Sequence, residues 1–413
     1  MKKLLATDLD GTLLKNDKTI SINTINTIHE MINGGHYFVI TTGRPFFRIT
    51  KVLEELDIIN DKNICICNNG GLIITTDGSK ILHKERLDDN SIPELVDLAI
   101  KHKVNILVYQ EDYIITDYLD ERVSILKDQP CVKIIDGTKE DLKKLTEVYK
   151  IVFNGDNDVL IKLRNSLPSE YLDKYNFVMS GDNFLEINKK TVDKGSGLLK
   201  LISILNIDIK DTYAIGDEEN DLSMIKTAGV GCAVSNANIK VKNAASYITL
   251  SNEEDGVANL IKKKILKPKV MVSACLMGDN CKYNGGNNLN QELIDSLNDY
   301  DIIKICPEVF GGLSTPRVPA ERINDLVINK DNIDVTLNYQ NGAKIALEIA
   351  QKHQIDTAIL KAKSPSCGFG QIYDGTFTST LINGNGVTTD LFLKNNIQVY
   401  TENNYQEILK KKS

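Results

Sequence analysis

The sequence predicts an α/β protein in which a Rossmann-like, doubly wound parallel sheet carries an inserted α+β cap and is followed by a second, compact α/β domain. Short apolar strands at 2–7 and 37–42 alternate with helical segments at 21–33 and 43–56, and this alternation is typical of parallel sheets. The length of 413 residues exceeds what a single hydrophobic core usually serves. Two or more domains are therefore expected.

The order of the elements divides the chain into three segments. Residues 1–82 and 187–265 follow the regular strand–helix rhythm and are predicted to form the core of the first domain. Between them, short strands and helices at 83–186 alternate irregularly, which indicates an inserted α+β cap. The charged, proline-containing segment 262–269 is typical of a linker. We expect the second domain to span 269–413.

Composition and charge are those of an ordinary globular protein. Hydrophobic residues make up 42% and charged residues 25%, and the formal net charge is -7. This charge does not favour binding to nucleic acid or to a membrane surface, and no apolar stretch approaches the roughly 18 residues of a membrane span. The start of the chain lacks the apolar segment of a secretory signal. We therefore expect a cytoplasmic protein that contacts neither membranes nor nucleic acid directly.

Two aspartates directly follow the first predicted strand, in the sequence ATDLDGTLL. Asp8 and Asp10 are separated by a single residue, so one carboxylate could attack phosphorus while the other transfers a proton. Carboxylate oxygens are also the ligands that Mg²⁺ prefers. Two aspartates in a turn are common without a catalytic role, and the pair alone does not decide between these interpretations.

Further polar residues follow later strands of the same predicted sheet. Thr42 and Arg44 lie in TTGR after the second strand, and Lys194 opens a helix in VDKGSGL. A hydroxyl and an ammonium group at these places could hold phosphoryl oxygens. In GDEENDLSM, after another strand, carboxylates could complete a Mg²⁺ site that neutralises a phosphoryl group. The polar residues of that motif are Asp217, Asn220 and Asp221.

In these motifs, residues 1 to about 265 resemble the Cof-type phosphatases of the haloacid-dehalogenase superfamily. DLDGTLL, TTGR, DKG and GDEENDLSM match the four motifs of that family in order and spacing. The resemblance implies a Mg²⁺-dependent phosphatase for a phosphorylated small molecule, with Asp8 as the nucleophile that forms an aspartyl-phosphate and Asp10 as the general acid and base. The implied phosphate-binding residues are Thr42, Gly43, Lys194 and Asn220. The implied Mg²⁺ ligands are Asp8, Asp10, Asp217 and Asp221.

Three cysteines in the last third of the chain each stand where an apolar strand gives way to a turn. Cys275 ends KVMVSAC, Cys306 ends IIKIC and Cys367 follows TAILKAKSPS. A strand–helix rhythm accompanies them, with one helix predicted at 343–353. Because the carboxyl ends of parallel strands share one edge of a sheet, we expect the three thiols to meet. Three thiolates suit a metal or an iron–sulfur cluster with one coordination position open.

Other groups near this edge leave alternatives open. Cys281 follows Cys275 by six residues, which is wider than the cysteine pairs of a typical four-thiolate zinc site. A structural zinc site and a set of unliganded buried thiols are both kept as alternatives. Glu308 and Ser364 are close in sequence to two of the cysteines, and a carboxylate and a hydroxyl there could transfer protons. Residues that could shape a polar pocket are Arg317, Glu321, Lys361 and Lys363.

The second region also resembles a known family. VSACLMG, CKYNGG, CPEVFGGLSTPRVPAER, KSPSCGFGQIYDGTF and NGNGVTT, within about 269–402, are together similar to a former domain of unknown function whose characterised members are thiouracil desulfidases. The resemblance implies a 4Fe–4S cluster held by Cys275, Cys306 and Cys367, with the fourth iron free to take sulfur from a thiolated pyrimidine base. Catalytic proton transfer would fall to Glu308 and Ser364, while Cys281 stays unassigned. KYNGG departs from the arginine-containing form expected there.

Taken together, the two constellations predict a bifunctional enzyme, a phosphatase fused to an iron–sulfur desulfidase. Thiolated nucleotides could then lose phosphate at one site and sulfur at the other. The alternative is a Cof-type phosphatase with a non-catalytic iron–sulfur or zinc domain that has a sensory or structural role.

Overall fold

The computed structural model describes residues 2–119, 123, 133–180 and 182–410 of the chain. Contacts within it divide the protein into two compact units, Met1–Leu266 and Lys267–Ser413. Each unit combines strands and helices, and the predicted α/β fold class is confirmed. No helix in these described ranges is long and apolar enough to cross a membrane.

The first unit is built on an eight-stranded sheet in which six neighbouring strands are parallel and two antiparallel strands complete one edge. Leu4–Thr7 lies near its centre and is buried along its whole length. Leu5 joins one hydrophobic cluster, whereas Leu4 and Ala6 join another, so both faces of this strand are covered. In spatial order the strands are Tyr247–Ile248, Val230–Ala233, Thr212–Gly216, Leu4–Thr7, Tyr37–Thr41, Ile64–Cys67, Leu72–Thr75 and Ile81–Lys84.

Helices connect the strands of this core. Lys194–Leu205 begins after Asp193, whose carboxylate accepts a hydrogen bond of 2.8 Å from the backbone N–H of Ser196. Such a cap fixes where a helix starts, and here it sets Lys194 at the first helical position. The other helices of the core are Ile22–Asn33, Thr50–Glu55, Leu222–Thr227, Ile239–Ala244 and Gly256–Leu260, the last continuing into the π-helical turn Ile261–Ile265.

A second, six-stranded sheet forms the inserted cap, and all but one of its neighbouring strand pairs are antiparallel. In spatial order its strands are Tyr175–Met179, Phe184–Lys189, Lys150–Asn154, Asn105–Tyr109, Ile114–Thr116 and Ile134–Asp136. Its helices include Ser91–His102, Lys139–Leu142, Asn157–Asn165 and Ser169–Lys174.

The cap differs by a few residues from the predicted segment 83–186. Ile81–Lys84 pairs with Leu72–Thr75 in the core sheet, and the last cap strand continues to Lys189. Both predicted bounds therefore fall inside strands. Ile81–Lys84 has no fully buried residue. Its sequence, ILHK, does not alternate apolar and polar residues, which is the usual signal of a strand.

The second unit contains a sheet of four parallel strands and two short hairpins. In spatial order the parallel strands are Asp301–Ile305, Lys269–Ser273, Thr357–Leu360 and Gln398–Thr401. The hairpins pair Ala320–Ile323 with Leu326–Asn329 and Gln371–Tyr373 with Leu381–Asn383. Its helices are Gln291–Ser296, Pro307–Phe310, Thr336–Lys352, Val387–Lys394 and Gln406–Lys410. The helix predicted at 343–353 thus begins seven residues earlier, at Thr336.

Candidate active sites

Asp8, Lys194 and Asp221 form a buried chain of charged groups at the carboxyl edge of the first sheet. The Lys194 ammonium lies 2.6 Å from an Asp8 oxygen and 2.5 Å from an Asp221 oxygen. The side chains of Lys194 and Asp221 are 0% exposed and that of Asp8 is 10% exposed. One buried cation therefore joins two carboxylates that follow different strands.

Asp217 completes an acidic triad with Asp8 and Asp221. One carboxylate oxygen of each lies within 4.8 Å of the other two. The hydroxyl of Thr12 donates a hydrogen bond of 2.6 Å to Asp217. The second oxygen of Asp221 accepts the backbone N–H groups of Asp217 and Glu218, at 2.9 and 3.0 Å. Both oxygens of Asp221 thus already accept hydrogen bonds within the protein.

Crowding of these carboxylates changes their acidity. Burial and the charge of Asp221 raise the pKa of Asp8 to about 8, although Lys194 acts in the opposite direction. Burial likewise raises the pKa of Asp217 to about 6 against the hydrogen bond from Thr12. Burial disfavours the charge of Lys194, but the two carboxylates outweigh it and raise its pKa above the usual range. The site holds more negative than positive charge, which a divalent cation would balance.

The carboxylate of Asp10 is bound by two basic side chains and is not part of the triad. Arg44 donates to its two oxygens at 2.8 and 2.6 Å, and the Lys18 ammonium donates at 3.0 Å. Burial opposes the ionisation of Asp10, but the charges and hydrogen bonds of Arg44 and Lys18 outweigh it and hold its pKa below the usual range. Four aspartates were predicted to bind Mg²⁺, and three of them form the triad. The fourth, Asp10, lies outside the triad and is bound by Arg44.

The Thr42–Arg44 loop lies beside this site and is tightly packed. Thr42 is buried, and its hydroxyl accepts the backbone N–H of Arg44 at 3.2 Å. A Cβ atom on Gly43 would lie 2.9 Å from Oδ1 of Asn69, so a larger residue there would displace Asn69. Asn220, the other predicted phosphate-binding residue, has a buried Oδ1 with no hydrogen-bond donor in the described part of the chain.

In the second unit, the thiols that were expected to meet line a single cavity of about 450 Å³. Each follows a strand of the four-stranded sheet. The thiol of Cys306 donates to the carbonyl oxygen of Cys281 at 3.9 Å, which brings the unassigned cysteine into the same group. The cysteines of the cavity are Cys275, Cys281, Cys306 and Cys367.

Glu308 is held beside these thiols by Arg317 and Ser364. Arg317 donates twice to one Glu308 oxygen, at 2.9 and 2.6 Å, and the Ser364 hydroxyl donates to the other oxygen at 3.3 Å. Arg317 also donates to the carbonyl of Cys281 at 2.9 Å. Its side chain is 8% exposed. Arg317 therefore fixes both the carboxylate and the loop that carries Cys281.

The thiols differ in acidity. A hydrogen bond from Cys281 lowers the pKa of Cys275 to about 7 against the effect of burial, and the same cysteine also lowers the pKa of Cys306. Burial raises the pKa of Cys367 above its usual range. Because the thiolate is the form that binds metals, Cys275 and Cys306 are the thiols most ready to do so.

Two charged pairs close to these sites were not predicted from the sequence, one of them buried and one half-buried. Lys150 and Glu186 form an ion pair on the cap, and Lys361 is bound by Glu402 in the second unit. The available signal was weak: Lys150 opens the apolar strand KIVFN, in which every residue is buried. The residues expected to shape the second pocket do line the cavity: Arg317, Glu321, Lys361 and Lys363.

Comparisons with known proteins divide the chain at the same place as the structure. Residues 5–261 match the family model of haloacid dehalogenase-like hydrolases, and residues 270–404 match that of 2-thiouracil desulfurases. A 5-amino-6-(5-phospho-D-ribitylamino)uracil phosphatase of Bacillus subtilis is 31% identical over 267 residues, which are 63% of this chain and 96% of that protein. An uncharacterized protein of the same organism is 37% identical over 150 residues, 34% of this chain and 99% of its own length.

Among solved structures, a haloacid dehalogenase-like hydrolase from Bacteroides thetaiotaomicron is 32% identical, with a TM-score of 0.57 over 64% of this chain and 99% of that one. The first family match covers more than half of the chain, so the resemblance stated from the motifs is confirmed. The chain therefore belongs to the haloacid dehalogenase-like hydrolases, among their phosphatases, and continues into a domain of the 2-thiouracil desulfurase family.

Proposed function

We propose that the first unit hydrolyses phosphomonoesters of small molecules by way of a phosphate carried on Asp8. The observation that carries this proposal is the contact of 2.6 Å between Asp8 and the buried ammonium of Lys194. A carboxylate can attack phosphorus only if the negative charge of the phosphoryl oxygens is balanced. Lys194 supplies that positive charge beside the attacking atom.

Two proton transfers through Asp10 complete the reaction. An oxygen of Asp8 bonds to phosphorus while the bond from phosphorus to the leaving oxygen breaks, and Asp10 gives that oxygen a proton. Asp10 then takes a proton from a water molecule, whose oxygen attacks phosphorus and frees Asp8 and inorganic phosphate. Because Arg44 now binds both oxygens of Asp10 and helps to hold its pKa low, Asp10 must first give up a hydrogen bond from Arg44 and take a proton from water before it can protonate the leaving oxygen.

The acidic residues of this site fit Mg²⁺. The triad supplies oxygen atoms that lie within 4.8 Å of one another, and Oδ1 of Asn220 is buried without a donor in the described ranges. Asp8 and Asp217 would hold the ion most directly, because both oxygens of Asp221 already accept hydrogen bonds. When bound, Mg²⁺ would neutralise part of the charge on the transferring phosphoryl group.

The phosphatase proposal is tested with a panel of phosphate esters. The panel includes para-nitrophenyl phosphate, hexose phosphates and the ribitylaminouracil phosphate named for one relative. We expect Mg²⁺-dependent release of phosphate from at least one of these compounds and no release by the Asp8→Asn variant. Release that survives in Asp8→Asn would contradict the assignment of the nucleophile.

We propose further that the second unit removes sulfur from a thiolated pyrimidine base. Water supplies the oxygen, so a C=S group and water give a C=O group and hydrogen sulfide without net oxidation or reduction. The proposal is supported by the match to 2-thiouracil desulfurases and by the cavity in which Glu308 and Ser364 lie among the thiols. Glu308 would take a proton from the water, and Ser364 would pass a proton to the departing sulfur.

Cys275, Cys306 and Cys367 are the residues that would hold a 4Fe–4S cluster. They line one cavity, and each follows a strand of the four-stranded sheet. Three thiolates would leave one iron of the cluster without a protein ligand. When bound, the cluster would supply an iron atom that takes the sulfur.

The desulfidase proposal is tested on the full chain after reconstitution with iron and sulfide in the absence of oxygen. We expect 2-thiouracil or 4-thiouracil to be converted to uracil with release of sulfide, and Ser364→Ala to slow this conversion while keeping the iron. Bound iron without conversion of either base would favour a non-catalytic, sensory domain.

A further inference from the structure

The cap carries a buried pair of oppositely charged side chains at its junction with the core. Lys150 and Glu186 lie on neighbouring strands of the cap sheet. Lys150 Nζ is 2.8 Å from Oε2 of Glu186, and their side chains are only 4% and 14% exposed. Burying such a pair costs solvation free energy, which further hydrogen bonds must offset. Two partners of those hydrogen bonds lie in the core.

Both members of the pair reach the core beside the Thr42–Arg44 loop. Lys150 Nζ donates to the carbonyl oxygen of Gly43 at 2.9 Å. Nδ2 of Asn69 donates to Oε2 of Glu186 at 2.8 Å. The backbone N–H of Asn69 in turn donates to the carbonyl of Thr42 at 3.0 Å. The cap thus contacts the loop directly through Lys150 and indirectly through Glu186 and Asn69.

Apolar contacts at the same junction seat the cap on this part of the core. Phe47, three residues after Arg44, packs against a cap cluster that contains Tyr109. Lys150 Nζ lies 4.7 Å from the centre of the Tyr109 ring, so its charge is held between an aromatic face, a carboxylate and a backbone carbonyl. The contact of Phe47 with the cap cluster and that of Lys150 with Gly43 can form only while the cap is against the core.

We propose that Lys150 and Glu186 are positioning residues of the phosphatase site. With the cap against the core, they hold the Thr42–Arg44 loop where Thr42 binds the phosphoryl group and Arg44 orients Asp10. This role rests on the proposed function of the first unit. It does not require either residue to touch the substrate. Cap closure would then complete the phosphate site at the moment when water is excluded from it.

The role is tested by measuring how inorganic phosphate binds to the full chain in the presence of Mg²⁺, by titration calorimetry. We expect Lys150→Met to weaken phosphate binding about tenfold, the scale of one lost hydrogen bond from a charged group. Turnover of para-nitrophenyl phosphate should fall by a similar factor. A matched control is Lys189→Met, which removes an exposed cap ion pair with Asp88 and should change neither quantity.

The double variant Lys150→Met/Glu186→Gln distinguishes the positioning role from a purely structural one, because it leaves neither member of the pair charged and unpaired. We expect it to regain most of the melting temperature lost by Lys150→Met but not the phosphate affinity. Phosphate affinity at the wild-type value in either variant would overturn the proposed role. Phosphate binding can be measured without turnover. The role of Lys150 can therefore fail this test even if an ester of the panel is hydrolysed, and it can pass even if none is.

Discussion

Arg44 binds both carboxylate oxygens of Asp10, through Nε at 2.8 Å and a terminal nitrogen at 2.6 Å. The backbone N–H of the same arginine donates to the hydroxyl of Thr42. The residue proposed as general acid is therefore tied to the loop proposed to bind phosphate. Removal of the Arg44 side chain should raise the pKa of Asp10 and also loosen the loop.

The first prediction concerns the pH dependence of stability. Despite burial, Arg44 and Lys18 hold the pKa of Asp10 below its usual range. Such a carboxylate contributes stability that is present above its unfolded-state pKa of about 3.9 and is lost as the pH falls through the folded-state pKa. We expect Arg44→Gln to lower the free energy of unfolding by about 1 kcal/mol at pH 7 and by less at pH values below about 3.9. Urea denaturation at pH 7 and at a pH below about 3.9 measures this difference. An equal loss of unfolding free energy at the two pH values would indicate that the variant loses packing alone.

The second prediction is that Asp8→Asn abolishes phosphatase activity and stabilises the metal-free protein. Burial and Asp221 raise the pKa of Asp8 to about 8, so between this value and the unfolded-state pKa of about 3.9 the chain must take up a proton at Asp8 when it folds, which costs free energy. Asparagine needs no proton, so the variant should raise the free energy of unfolding at pH 7 by about 1 kcal/mol in a chelator. Added Mg²⁺ should reduce the difference, since it binds the wild type more tightly. A variant that is less stable than wild type in the chelator would show that the contact with Lys194 dominates.

Lys194→Met provides the third prediction. It leaves Asp8 and Asp221 buried without their shared cation, and breaking a buried pair in this way costs about 3–5 kcal/mol. We expect a marked fall in melting temperature together with loss of phosphatase activity. Lys200→Met, at an exposed position of the same helix, is the control and should leave both unchanged. A Lys194→Met protein as stable as the wild type would show that Lys194 does not stabilise the buried carboxylates.

The fourth prediction separates the two units. Cys306→Ser should lose bound iron and desulfidase activity while phosphatase activity persists, because the two sites lie in different compact units. Cys281→Ser is the matched variant from the same cavity, and it should keep its iron if three cysteines hold the cluster. Iron analysis and both activity assays on the two variants test this. Loss of iron in Cys281→Ser would make Cys281 a ligand.

The sequence predicts which residues meet at the ends of the strands, but it does not predict which residues meet when the cap packs on the core. Asp8 and Asp217 come directly after strands of one parallel sheet, so their meeting follows from local pattern and topology. Lys150 and Gly43 are 107 positions apart and meet only because the cap packs on the core. No local pattern in the sequence indicates that contact.

The long helix of the second unit shows how tertiary packing overrides local preference. Gly342 is unfavourable inside a helix, and the predicted helix begins just after it, at 343, yet the helix runs from Thr336 to Lys352. A Cβ atom at Gly342 would lie 1.8 Å from the carbonyl oxygen of Pro307. Glycine is therefore required there by the close approach of the turn after Cys306, and the contact stabilises a helix that the sequence alone disfavours.

The central claim, that one chain carries a phosphatase and a separate iron–sulfur site, is tested most directly by metal analysis of the full chain after anaerobic reconstitution. We predict about four iron atoms and a matching amount of sulfide per chain, absent from Cys306→Ser and retained in Asp8→Asn. Zinc in place of iron, or no bound metal in the wild-type chain, would contradict the second site and leave the phosphatase as its single supported activity.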